Sequence, residues 1–144
     1  MPLYYLDTSA LVKRYHLELG SERVDRLFGD PTASFFTANL TLTELTSALD
    51  RKVQDGTVTA DAVAMVMAVV AQDFLESIWL IDLERHHIPQ SQALIRRYHL
   101  RTLDALHSAV LLTARTATPI LVSADRRLLS AAAEEQVAVL DPTT

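Results

Sequence analysis

Cysteine is absent from the 144-residue chain, and glycine, with three residues, and proline, with five, are scarce. Without cysteine there is no disulfide framework, no thiolate nucleophile and no thiolate metal ligand, which suits a reducing cytoplasm. With so few glycines and prolines there is no visible linker, low-complexity tract or internal repeat. Long apolar runs are also missing. The longest is Ala62 to Ala71, "AVAMVMAVVA", bounded by Asp61 and by Gln72 and Asp73. It is too short to span a bilayer, so no membrane role is expected. No basic segment precedes an apolar run at the N-terminus, so no signal peptide is expected. Cations are in deficit: 13 Lys and Arg against 18 Asp and Glu, a net charge of −5. An acidic chain is not an obvious nucleic-acid binder, because phosphate contacts need positive charge.

What is present is a core. Hydrophobic residues make up 49% of the chain, enough for one domain over residues 1–144. Short apolar or β-branched runs predict strands at Leu3–Leu6, Ser34–Thr37, Ile78–Ile81, Ile120–Ser123 and Val137–Leu140. Between them apolar residues recur at helical spacing, as in Leu42, Leu45, Leu49 and Val53, or Leu103, Leu106 and Val110. Strands alternating with helices predict an α/β fold with a mostly parallel sheet and helices on both faces. The run Ala62–Ala71 is apolar on every side, so a helix there is expected to be buried on more than one face, either in the core or between core and a partner. In such sheets a ligand crevice lies beyond the carboxyl ends of the strands.

Four acids fall at or near that edge. Asp7 ends the first strand in "LYYLDTSALVKRY"; Glu44 lies in the first turn after the second strand; Asp104 opens the helix near Thr102; and Asp125 follows the fourth strand. Taken singly, the last three suit helix N-termini, where an acid opposes the dipole. Thr41 to Glu44 also reads as a capping box. Asp7 is different, since a carboxylate at the end of a buried strand needs partners. Four carboxylates in one crevice repel each other unless a cation compensates. An all-oxygen set suits Mg²⁺ or Mn²⁺ rather than Zn²⁺. Such an ion polarises a phosphoryl oxygen, activates water and stabilises the leaving oxygen.

The segments "YYLDTSALVKRY", "TANLTLTELTSAL", "LRTLDALHSAVLL" and "ILVSADRRLLSAA" together resemble the PIN-domain family, more narrowly its VapC-type toxin ribonucleases, from Leu3 to Pro142. The resemblance implies a three-layer α/β/α sandwich with a sheet of about five strands, and RNA cleavage with Mg²⁺ or Mn²⁺. The family's acidic quartet maps onto Asp7, Glu44, Asp104 and Asp125, with Thr8 and Ser123 as supporting hydroxyls. Hydrolysis in line would leave 5′-phosphate and 3′-hydroxyl ends. It also implies a homodimer bound by a small VapB-like antitoxin. "LERHHIPQ" is less typical, and Pro89 is expected to delay or break the helix before "SQALIRRYHL".

Other residues invite other readings. Lys13, Arg14, Arg51 and Arg126 are candidates to hold an RNA backbone. Tyr15 and Tyr98 offer stacking faces, although packing is the plainer role. His86 and His87 are adjacent and so cannot share a helix face, and no His-Glu-x-x-His pattern exists. His107 is expected to pack inside the domain. A receiver-like signalling domain would use Asp82 as phospho-acceptor, but it also needs a late lysine, and Lys13 and Lys52 are the only lysines. An aspartate-nucleophile phosphatase would want an acid where Ser9 stands. A PIN domain used only for binding would not need the intact quartet.

Overall fold

The computed structural model describes residues 1–144. Five strands form one sheet: β1 (Leu3–Leu6), β2 (Ser34–Ala38), β3 (Ile78–Ile81), β4 (Ile120–Val122) and β5 (Ala138–Leu140). Every pairing is parallel, and the strand order is β3-β2-β1-β4-β5. Seven α-helices connect them: α1 (Thr8–Tyr15), α2 (Ser21–Phe28), α3 (Leu40–Gln54), α4 (Ala60–Glu76), α5 (His87–Tyr98), α6 (Thr102–Thr113) and α7 (Arg126–Glu134). The expected strands lie where the apolar runs placed them, to within a residue at their ends.

Side chains on a strand alternate between its two faces, and this splits the core in two. Leu6, Phe35, Val122 and Ile78 pack against α1, α3 and α4 on one face. Their neighbours Tyr5, Phe36 and Leu121 pack against α6 and α7 on the other. The result is the expected three-layer α/β/α sandwich. The chain runs outward from β1 to β2 and β3, then returns to the other side of β1 as β4. That reversal is the switch point, and the crevice at the carboxyl ends of β1 and β4 follows from it.

Two expectations are corrected. Pro89 does not delay its helix: α5 already begins at His87. In the first turn the missing proline N–H would have had no intrahelical partner anyway. Within the single chain, helix α4 is buried on one face only, which removes the central-core alternative and leaves the one between core and a partner. Only Val70 and Asp73 are buried, and Met65, Val69 and Leu75 face outward. No helix is long and apolar enough to cross a membrane.

Candidate active site

Beyond the carboxyl ends of β1 and β4 lies an open cleft of about 1070 Å³ whose walls include Asp7, Glu44, Asp104 and Asp125. The fold thus brings all four predicted acids together. Each arrives from a separate element. Asp7 caps α1 directly after β1, Glu44 projects from α3, Asp104 sits in the first turn of α6, and Asp125 caps α7 after β4.

Asp7 is buried but fully partnered. Its Oδ1 accepts from the Ser9 hydroxyl at 2.8 Å and from the Ala10 amide at 3.0 Å. Its Oδ2 accepts from the Ser123 hydroxyl at 2.9 Å, across the switch point. Ser123 Oγ accepts in turn from the Asp125 amide, and Ser9 Oγ from the Ala124 amide, so two serines stitch β1 to the loop after β4. Burial still dominates and raises the Asp7 carboxyl above its ordinary range, against the opposing pull of these hydrogen bonds. The Ser9 hydroxyl, standing where a phosphatase would want an acid, is what the site uses.

Glu44 does not close a capping box. Helix α3 starts at Leu40, ahead of Thr41, whose buried hydroxyl pairs with that of Thr37. Glu44 Oε1 is therefore free to accept from Thr8 Oγ at 2.8 Å and to meet His107 Nε2 at 2.6 Å. His107 is 2% exposed, and its Nδ1 lies 2.7 Å from the Tyr5 hydroxyl. Burial raises the Tyr5 pKa, so the phenol stays protonated and donates to Nδ1. That places the ring proton on Nε2, which donates to Glu44, an assignment made from the network. Burial pushes Glu44 up, but the hydrogen bonds from His107 and Thr8 outweigh it and leave the carboxyl below its ordinary value. The expectation that His107 packs inside the domain holds. Its second nitrogen nevertheless reaches a cleft acid, a link its three-residue spacing from Asp104 alone does not reveal.

The Tyr5–His107–Glu44 chain yields a stability prediction. His107→Ala removes a buried ring and strands two polar groups, so unfolding stability should fall by about 2–4 kcal/mol. Tyr5→Phe, which deletes one hydroxyl, should cost about 1 kcal/mol. Urea denaturation measures both, and a His107→Ala loss no larger than that of Tyr5→Phe would show that the ring is not the keystone described.

Asp104 and Asp125 are joined by a residue that sequence reading passed over. Arg101 Nε donates to Asp104 Oδ2 at 3.3 Å, and its terminal nitrogen donates to Asp125 Oδ2 at 2.9 Å. The first link was legible as a cation three residues before an acid; the second exists only in three dimensions. Burial, then repulsion from Asp125, raise the Asp104 carboxyl despite Arg101. Asp125 also fills its expected capping role, with Oδ1 accepting from the Arg127 and Leu128 amides.

The basic candidates part company. Arg51 lines the cleft. Lys13 also lines it, but is buried and paired with Glu18 at 2.9 Å. Arg14 must be corrected: it forks onto Asp73 of α4 at 2.9 and 3.2 Å and stacks over Phe28, away from the cleft. Tyr15 donates to the same Asp73, so it packs as expected. Arg126 is exposed at the start of α7, outside the cleft walls. Asp82 follows edge strand β3, where a receiver domain would need a central strand.

Oxygen donors without thiolates fit a hard divalent ion. As they stand, though, no three of the carboxylate and imidazole side chains form one ready-made ligand set. The acids are held instead in smaller groups: Asp7 by serines, Glu44 by Thr8 and His107, and Asp104 with Asp125 by Arg101.

Known proteins agree with this architecture. Residues 4–134 match the PIN domain family. The chain is 32% identical over 143 residues to ribonuclease VapC35 of Mycobacterium tuberculosis, covering 97% of each. Among solved structures, a toxin–antitoxin complex from Klebsiella pneumoniae superposes with a TM-score of 0.60 at 18% identity, over 96% of this chain and 97% of that one. VapBC-1 from nontypeable Haemophilus influenzae does so at 0.59 and 12% identity, over 99% of each chain. With its parallel sheet, its switch-point cleft and a match spanning nearly its whole length, the chain belongs to the PIN-domain family.

Proposed function

We propose that this chain is a metal-dependent endoribonuclease, the VapC-like toxin of a toxin–antitoxin pair, acting through one nuclease domain over residues 1–144 in the cytoplasm. The observation that carries the reading is the convergence of Asp7, Glu44, Asp104 and Asp125 on one cleft at the switch point. Similarity to a ribonuclease across 97% of both chains supports the substrate class.

The cleft walls carry five carboxylates, counting Glu18, against Lys13, Arg51 and Arg101. Alone, such a surface repels phosphate. Asp7, Glu44, Asp104 and Asp125 would therefore hold Mg²⁺ or Mn²⁺, which when bound polarises the phosphodiester and lowers the pKa of water. Ser9 and Ser123 fix Asp7, and Thr8 and His107 fix Glu44, so these two carboxylates need little rearrangement to act. Glu44 keeps Oε2 clear of hydrogen bonds, because both of its partners meet Oε1. Arg51, on the cleft wall, would take an RNA phosphate.

A small VapB-like antitoxin is the proposed protein partner, and a second copy of the chain is the other. The outward apolar residues of α4, Met65, Val69 and Leu75, carry no charge that would oppose self-association. The test is to incubate purified protein with RNA. Cleavage is expected with Mg²⁺ or Mn²⁺ and should stop with excess chelator; undiminished cleavage under chelator would sink the metal mechanism. Light scattering on the same preparation should give twice the chain mass, and a monomer at every concentration would remove the homodimer.

A further inference from the structure

Arg101 is the one arginine or lysine that touches any of the four acids, and it touches two of them. Its guanidinium bridges Asp104 and Asp125 with one arm on each, at 3.3 and 2.9 Å, and makes no other hydrogen bond. Asp104 and Asp125 side chains are mostly covered, at 15% and 18% exposure, whereas Arg101 is 73% exposed and reaches in from the surface. The guanidinium lies between two carboxylates that repel each other. Asp7 and Glu44 have their own neutral donors and do not depend on it. As they stand, no three of the cleft carboxylates surround one point.

From this geometry we infer that Arg101 is a tethered counter-ion: it fills the cation position between Asp104 and Asp125, and a divalent ion held by these acids would have to displace it. Arg101 thereby sets how tightly the cleft takes its metal. The inference rests on the metal-dependent reading above. Displacement is feasible because ion pairs with a solvent-exposed partner are weak, and the entering ion carries twice the charge of the guanidinium.

The test is calorimetric titration of MnCl₂ into the chelator-treated full chain, comparing wild type, Arg101→Gln and Arg101→Lys. Removing a competitor worth two weak ion pairs should tighten Mn²⁺ binding by about three- to tenfold in Arg101→Gln. Arg101→Lys, which keeps the charge but not the two-armed clasp, should fall between. Thermal unfolding supplies a second readout that needs no catalysis. Arg101→Gln should melt below wild type without metal, because its two acids lose their counter-charge, and the gap should close at saturating Mn²⁺. Equal or weaker Mn²⁺ binding in Arg101→Gln would overturn the inference and leave the metal reading standing. If neither protein binds Mn²⁺, both fall. If Arg101→Gln does not fold without metal, Arg101→Lys carries the comparison, and wild-type affinity in that variant would overturn the inference.

Discussion

Asp104→Asn and Asp7→Asn should each abolish RNA cleavage, by about a hundredfold or more, while keeping the fold. The size follows from losing a ligand charge, since changes one shell further out typically cost 10- to 100-fold. Retention of the fold follows from the hydrogen bonds. At Asp7 the amide oxygen still accepts from Ser9 and Ala10. The new NH₂ then faces Ser123 Oγ, which can turn to accept, with its own proton directed to Ser9 Oγ 3.4 Å away. At Asp104 the substitution removes a repulsion with Asp125, so stability has little to lose. Circular dichroism and a cleavage assay separate the two effects. A folded variant that cleaves at the wild-type rate would take that acid out of the machinery.

The metal-free protein should lose stability as pH rises from the ordinary carboxyl range into the raised range of Asp7 and Asp104. Burial raises both, with Asp125 adding to Asp104. A raised folded-state pKa means the native chain holds protons that the unfolded chain has released. That stabilisation is full below the unfolded value and disappears as pH passes the folded one. Glu44 and Asp73 act in the opposite sense. Their carboxyls lie below the ordinary value, so their contribution is lost only as pH falls through it. Mn²⁺ at neutral pH should reverse the loss by binding the folded cleft alone, adding about 2.7 kcal/mol at a hundredfold excess over Kd. Asp7→Asn should flatten the decline, raise metal-free stability and shrink the Mn²⁺ shift. Thermal melts from pH 4 to 8 with and without Mn²⁺ measure all three, and an undiminished Mn²⁺ shift in Asp7→Asn would exclude Asp7 from the site.

Much of this molecule was legible along the chain because its signals are local. Short apolar runs marked the strands, and the order of strand, acid and helix placed Asp7, Glu44, Asp104 and Asp125 at one edge of a parallel sheet. The capping role of Asp125 was legible for the same reason, since its partners are the amides two and three residues on. Local signals also misled where a distant partner outbid a near one. Thr41 and Glu44 had the spacing of a capping box, but Thr37 holds the threonine, and Thr8 and His107 hold the glutamate. Arg14 had the look of a free cation beside the cleft until Asp73, 59 residues away, claimed it. The uniformly apolar run of α4 could not say which face is covered, because that depends on where the edge strand β3 ends the sheet. What only the tertiary structure decided is how the acids are held: the serine stitch across the switch point, the Tyr5–His107–Glu44 chain, and the Arg101 clasp. A carboxylate's position follows from the element that carries it, but its charge state and freedom depend on groups the chain brings close only by folding.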